Sequence, residues 1–173
     1  MRESLPASYS PAVVAPSPPL DPRAVPTARG SLLTGDIVLA MSQEDLEEVR
    51  RGYDLFAETG KFAAELATDA FVWDMSHFAG WPEQQLYVGV DGAQSFLDEW
   101  VAAWDDWQLD LESLHDAGEK IVAVMRQRGR SKATGMPVDM SFAQVWTMRN
   151  GKRSRMEMYS DPDEALRAVG LAP

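Results

Sequence analysis

The segment "VDMSFAQVWTMRNGKRSRMEMYS", residues 138–160, places Val, Phe, Trp, Met and Tyr residues on both sides of Asn150-Gly151. An Asn-Gly pair between two such runs is the strongest short-range signal for a β-hairpin, because both turn positions need the left-handed backbone that Asn and Gly adopt most readily. The segment therefore predicts two antiparallel strands joined at this pair. It indicates that the C-terminal part of the chain forms a sheet.

The predicted turn also fixes which strand residues face each other. Counting outward from Arg149 opposite Lys152, Val145 comes opposite Met156. One small apolar side, expected to form a core or a pocket wall, then holds Ala143, Val145, Met156 and Met158. The other side mixes aromatic with polar and charged residues: Phe142, Gln144, Trp146, Arg155, Glu157 and Tyr159. If exposed, these aromatics would form a larger apolar patch than monomers usually carry, so we predict a homodimer through this side.

Two main helices are predicted before the long antiparallel meander. Ser42 and Asp45 resemble a capping box, and apolar residues then follow helical spacing as far as Gly60, a residue typical of helix ends. A second apolar stripe at helical spacing follows Asp91 and continues to Trp104. Further strands are predicted for "AFVWDM" (70–75), "WQLDLESL" (107–114) and "IVAVMRQRGR" (121–130), with a short final helix after Asp161.

The first part of the chain has a different composition. Residues 1–40 hold seven of the eleven prolines, and proline interrupts both helices and sheet ladders. We therefore predict a disordered tail over residues 1–41 and one domain over residues 42–173. Two origins of the tail stay open: a flexible leader, or an extension upstream of a start at Met41.

Charge and composition exclude several classes of function. The formal net charge is −11 and there is no cysteine. A strongly acidic protein has no basic surface for nucleic acid or an anionic membrane, and no apolar run approaches the roughly 20 residues of a membrane span. Without cysteine, disulfides and thiolate metal sites are excluded, and we expect a cytoplasmic protein.

The order of these elements resembles a known family. With "DAFVWDM", "YVGVDGAQSFLDEW" and the C-terminal hairpin, residues 42–171 look like the SnoaL-like (polyketide-cyclase-like) branch of the nuclear-transport-factor-2-like superfamily. The resemblance implies an α+β cone, in which a curved antiparallel sheet wraps around helices and leaves an apolar cavity. It implies proton-transfer chemistry on an apolar cyclic substrate or, alternatively, ligand binding or dimerisation without chemistry.

Three candidate catalytic residues follow. Within the superfamily, the ketosteroid isomerases have a general base at the end of the first long strand, which matches Asp74, and an oxyanion-hole tyrosine at the position of Tyr53. Their second oxyanion donor falls near Ala143, where this chain has no acid. His77, in the loop after Asp74, is a candidate proton shuttle. The structural alternatives are a strand-end hydrogen-bond acceptor for Asp74, a packing role for Tyr53 and an exposed loop position for His77.

These expectations converge on one pocket. We expect Asp74 to point into the cone and to share a cavity with Tyr53. The residues expected to line the pocket are Val72, Trp81, Trp100, Ala143, Val145, Met156 and Met158. The predicted ligand is a small apolar or cyclic molecule. No cofactor is expected, and no metal, since His77 and His115 do not have the spacing of metal ligands.

Overall fold

The computed structural model describes residues 34–81 and 85–173, with side chains described from residue 43 onward. The helices are α1 (Thr34–Thr59), α2 (Gly89–Ala102) and α3 (Pro162–Ala168). The strands are β1 (Ala67–His77), β2 (Leu86–Val88), β3 (Trp104–Asp116), β4 (Lys120–Ser131), β5 (Pro137–Arg149) and β6 (Lys152–Tyr159). A single 3₁₀ turn, Ala64–Leu66, leads from α1 into β1.

The six strands form one curved sheet in the order β2-β1-β6-β5-β4-β3. This confirms the α+β prediction. One neighbouring pair departs from the antiparallel pattern, since β1 and β6 run parallel. A parallel pair needs a long crossover connection, and the chain supplies one through α2 and the meander β3 to β5.

The helices α1 and α2 pack against the inner face of the sheet. On β1, Phe71, Trp73 and Met75 point inward and are almost fully buried. The rings of Trp73 and Phe96, from α2, lie 4.4 Å apart between centroids. The strand phase is therefore set by its three bulky apolar residues, which places Val72 and Asp74 on the outer face.

Helix α1 begins earlier than the sequence indicated. It starts at Thr34 rather than Ser42, so residues 34–41 are helical and their predicted disorder is wrong. No proline lies between Pro26 and Pro82, and this stretch can therefore continue the helical hydrogen bonding. Gly60 ends α1 with a left-handed φ of 68°, as predicted. Residues 1–33 of the predicted tail lie outside the described residues.

The β5–β6 hairpin contains a bulge that the turn alone did not reveal. Next to the turn, Arg149 pairs with Lys152 and Met148 with Arg153, as predicted. The following pair is Thr147 with Arg155, so one extra residue, Ser154, is inserted in β6. Its hydroxyl donates to the Thr147 carbonyl oxygen at 3.0 Å. Beyond the bulge, each β5 residue faces a partner one position later than predicted, which exchanges the two faces of β5 relative to β6.

This shift corrects the predicted faces of the sheet. Trp146 now lies beside Met156, and Gln144 beside Met158, on the inner face. Ala143 and Val145 lie on the outer face, where α3 covers them. The predicted dimer surface is wrong in these residues, because Phe142, Gln144 and Trp146 are buried inside the protein, with 2%, 5% and 2% of their surface exposed.

Candidate ligand-binding cavity

A cavity of about 470 Å³ lies between α1, the C-terminal half of α2 and the beginning of β3. Its walls are mainly apolar, and its exposed charged residues mark the mouth. The lining residues are Tyr53, Phe56, Ala57, Gly60, Leu97, Asp98, Val101, Ala102, Trp104, Asp105, Asp106, Trp107, Gln108, Leu109, Met125 and Lys132. The cavity is large enough for a small organic molecule.

A bulge in β3 shapes the mouth of this cavity. The pairing with β4 shifts between Asp105 and Gln108, and Asp106 has a left-handed φ of 52°. Bulges bend a strand and redirect its side chains. Here the ring of Trp107 lies edge-on to Phe56 of α1, with 6.0 Å between centroids. An aromatic wall thus connects the sheet to α1.

A smaller chamber of about 40 Å³ adjoins the cavity further inside the protein. The residues that line both spaces are Tyr53, Phe56, Leu97, Trp107 and Leu109. The chamber adds the amide of Gln144 and the guanidinium of Arg153, beside the indole of Trp146. The interior is therefore polar at one end and apolar at the other.

Tyr53 lies where the two spaces meet. The Nε1 of Trp146 donates to its hydroxyl oxygen at 2.8 Å, and this hydroxyl donates to Oε1 of Gln144 at 2.5 Å. Tyr53 is 8% exposed, and its ring packs edge-on against Trp146. These contacts hold the phenol in one orientation. A ligand oxygen that accepted the phenolic proton would have to replace Gln144.

Asp74 does not take part in this cavity, so the prediction that it points into the cone is wrong. Its buried carboxylate lies on the outer face, where it accepts hydrogen bonds from the backbone N–H of Ser76 at 2.8 Å and from Nη2 of Arg155. Burial alone would raise the pKa of Asp74, but these bonds and the Arg155 charge outweigh it and hold the pKa below 3.8. The geometry is that of a structural acceptor.

The other two predicted catalytic residues are divided between the faces of the sheet. Tyr53 is on the inner side, at the cavity. His77 is exposed and stacks on Tyr159, with 4.5 Å between ring centroids and parallel planes. That stack lies on the outer face, beside the strand end that carries Asp74.

Only part of the predicted pocket lining lies at the cavity. Trp100 and Met158 line the inner chamber. Met156 is buried nearby without lining either space, and Trp81 packs against Trp100 with 5.2 Å between centroids. The remaining residues face the other way: Val72, Ala143 and Val145 are on the outer side of the sheet because of the strand phase and the bulge.

Sequence reasoning missed Arg153, a buried cation at the inner chamber. Its guanidinium carbon lies 5.0 Å from the centroid of the Trp146 ring and 5.8 Å from that of Phe62, and the residue is 2% exposed. Burial lowers the pKa of Arg153 to about 10. The sequence signal was Gly52, a glycine in the middle of a predicted helix, which marks a close approach by another group.

A curved sheet with helices on its inner face and a cavity between them defines a cone-shaped α+β protein. The chain belongs to the SnoaL-like domain family, whose sequence profile matches residues 49–156, more than half of the chain. No curated protein sequence matches it. Among the described residues, no helix is long and apolar enough to cross a membrane, and no three His, Asp or Glu side chains are grouped as metal ligands.

Solved structures show the same fold. TerC, co-crystallised with polyporic acid, is 19% identical with a TM-score of 0.56, over 73% of this chain and 98% of TerC. A candidate SnoaL-like polyketide cyclase from Jannaschia sp. CCS1 is 19% identical with a TM-score of 0.54, over 76% of this chain and 94% of its own. An NTF2-like protein from Anabaena variabilis ATCC 29413 is 20% identical with a TM-score of 0.56, over 69% and 91%. At such identities the likeness establishes the fold alone.

Proposed function

We propose that this protein binds an apolar, cyclic small molecule in the cavity between α1, α2 and β3. The observation that carries the proposal is the cavity itself, about 470 Å³ with a mainly apolar lining. Ligand pockets commonly have volumes of roughly 300–1,000 Å³, with a few polar groups that fix orientation. A flat ring system would pack against the aromatic wall that Phe56 and Trp107 form, with its polar end toward Tyr53.

The polar groups of the cavity suit a ligand that carries oxygen atoms. Nε1 of Trp104 and Nε1 of Trp107 are buried without a hydrogen-bond partner among the described residues. Buried donors are normally satisfied, so both groups can donate to a ligand. TerC, with polyporic acid, offers a precedent on the same fold for a bound small molecule.

Proton-transfer chemistry is a second candidate, and the fixed phenol of Tyr53 favours it. If its bond to Gln144 is replaced, this phenol can donate to an oxygen that gains negative charge during a reaction. Asp74 is not proposed as the base, since it faces away from the cavity and is paired with Arg155. The cavity-lining carboxylates are Asp98, Asp105 and Asp106, all at the exposed mouth.

Two further expectations remain proposals: a cytoplasmic location and a homodimer. The described large apolar residues left exposed on the sheet are Leu86 and Val88 of β2, at 52% and 66%. A dimer interface is therefore better tested at Leu86 and Val88 than at the buried aromatic residues. Light scattering of the Leu86→Lys variant beside the unmodified protein measures whether this edge associates.

The binding proposal is tested by analysing co-purified ligands with mass spectrometry and by blocking the cavity. Ala57→Phe adds a ring to the cavity wall on α1. Ala168→Phe adds the same ring on α3, at an exposed position away from the cavity. We expect small molecules to co-purify with the unmodified protein and with Ala168→Phe but not with Ala57→Phe. Equal recovery from both variants would remove the cavity as the binding site.

A further inference from the structure

We propose that the ligand of this cavity carries a carboxylate, which Arg153 binds in the inner chamber. The inference rests on the proposed binding function and adds the chemical class of the ligand. It predicts an apolar cyclic body in the larger cavity and a single anionic group at its inner end.

The first observation is a buried cation without a counter-ion. Arg153 forms no salt bridge with any described residue, and its Nε and Nη2 have no hydrogen-bond partner there. Tyr53, Glu48 and Glu65 favour its charged form electrostatically, Tyr53 most strongly, but none of them forms a salt bridge with it. With a pKa of about 10, the side chain is charged at neutral pH. Buried charges are nearly always paired, so the missing partner points to an anion from outside the chain.

The second observation is which nitrogens are unsatisfied. Nε and Nη2 form one edge of the guanidinium, and their two N–H groups point the same way, which matches the two oxygens of a carboxylate. This protein shows the same geometry at its surface. There, Nε and Nη2 of Arg126 donate to the two carboxylate oxygens of Asp139 at 2.8 and 2.9 Å. A carboxylate satisfies the free edge of Arg153 better than a single oxygen would.

The third observation is the position of the guanidinium. It lies among Gly52, Phe62 and Trp146, in the lining of a chamber of about 40 Å³. A single water molecule needs roughly 10–15 Å³ of such space, so a carboxylate group fits. Because five residues line both the chamber and the larger cavity, a molecule with its carboxylate at Arg153 would extend its apolar part past Tyr53.

The test is a matched pair of probes, 2-naphthoate and the neutral 2-naphthamide, measured by isothermal titration calorimetry. We expect the unmodified protein to bind naphthoate at least tenfold more tightly than the amide. Arg153→Met should abolish this preference while retaining amide binding. Arg126→Met, which removes the surface guanidinium, should leave the preference unchanged. Circular dichroism checks that each variant folds. If Arg153→Met does not fold, Arg153→Lys replaces it in the test. The lysine keeps the charge without the paired N–H edge, and most of the preference for naphthoate should be lost.

The following outcomes would contradict either the carboxylate assignment or the binding function. Equal binding of the two probes, unchanged in the Arg153 variants, would overturn the carboxylate assignment and leave the binding function standing. A preference for naphthoate that survives in both Arg153 variants would assign the anion to another cation, such as Lys132 at the mouth, and would also overturn it. No binding of either probe, together with no co-purified ligand, would contradict the binding function itself.

Discussion

Arg153 of β6 occupies the space that a side chain at Gly52 of α1 would need. A Cβ built at Gly52 with ideal geometry would lie 2.0 Å from Nη2 of Arg153 and 2.4 Å from its guanidinium carbon. Glycine inside a helix usually costs about 1 kcal/mol relative to alanine. Here the missing side chain allows the guanidinium to lie against α1, where the inner chamber ends.

Gly52→Ala therefore tests the contact directly. We expect a loss of about 1–3 kcal/mol in the free energy of unfolding, because the guanidinium must be displaced from a closely packed site. In the Arg153→Met background the same change should instead stabilise the protein by about 1 kcal/mol, since only the helix propensity remains. Urea unfolding of the unmodified protein, the two single variants and the double variant measures the effect of Gly52→Ala in both backgrounds. A destabilisation of equal size in the two backgrounds would show that Gly52 makes room for something other than Arg153.

Arg153→Met alone should stabilise the protein in the absence of ligand. Replacing an unpaired buried charge with an apolar side chain is expected to raise the free energy of unfolding by about 1–3 kcal/mol at pH 7. The folded-state pKa of about 10 lies below the ordinary value of an arginine, so the unfolded chain binds the proton more tightly. The destabilisation by the charge is then complete below pH 10 and decreases as the pH rises above 10.

The pH dependence of that difference is the sharper measurement. Denaturant unfolding at pH 7, 9 and 11 should show how much more stable Arg153→Met is than the unmodified protein. We expect this difference in the free energy of unfolding to be constant up to pH 9 and smaller at pH 11. A stability difference between the two proteins that grows above pH 10 would contradict the assignment of Arg153 as an unpaired cation.

Tyr53→Phe should cost about 1–3 kcal/mol in the free energy of unfolding. The ring remains, but the Nε1 of Trp146 and the Oε1 of Gln144 both lose their partner inside the protein. Tyr87→Phe is the comparison variant: the Tyr87 hydroxyl accepts from Nε1 of Trp81 at 3.3 Å and donates to Glu99 at 2.7 Å, and the exposed Glu99 carboxylate can bond to water instead. We expect the control to lose less stability in thermal unfolding.

Asp74→Asn distinguishes a structural from a catalytic carboxylate. The amide keeps the shape of the side chain but loses the ion pair with Arg155. We expect the free energy of unfolding to fall by about 1 kcal/mol at pH 7, a modest loss because Arg155 is partly exposed. Ligand binding should be unchanged, since Asp74 does not line the cavity. Asp139→Asn, in the exposed pair with Arg126, serves as the control and should have no measurable effect.

The same variant predicts a change in acid stability. The pKa of Asp74 is held below 3.8 in the folded protein, so its contribution is present above that pH and is lost as the pH falls through the folded-state value. Unfolding at pH 7 and pH 2.5 should show the difference between Asp74→Asn and the unmodified protein shrinking at the lower pH. A difference that is largest at pH 2.5 would be inconsistent with the ion pair.

Local signals in the sequence determined the elements and the fold class. The apolar stripes of α1 and α2, the Asn150-Gly151 turn and the Asp161 cap act within a few residues, and the structure follows them: Asn150 and Gly151 both have positive φ, and the Asp161 carboxylate accepts from the N–H of Asp163. The family followed from the order of these elements. Of the proposed site, Tyr53 and the existence of a cavity were indicated in this way.

Tertiary structure decided which face each strand presents. One extra residue, Ser154, reverses the faces of β5 relative to β6, and nothing local to "KRSRMEMY" distinguishes a bulged register from a regular one. The bulge forms because it buries Trp146 and Phe142 against the helices, a gain that depends on residues far away in the chain. The same long-range packing turned Asp74 outward and Arg153 inward. The sequence by itself therefore determined the architecture, whereas the positions of the charged groups depended on how the whole sheet buries its apolar side chains.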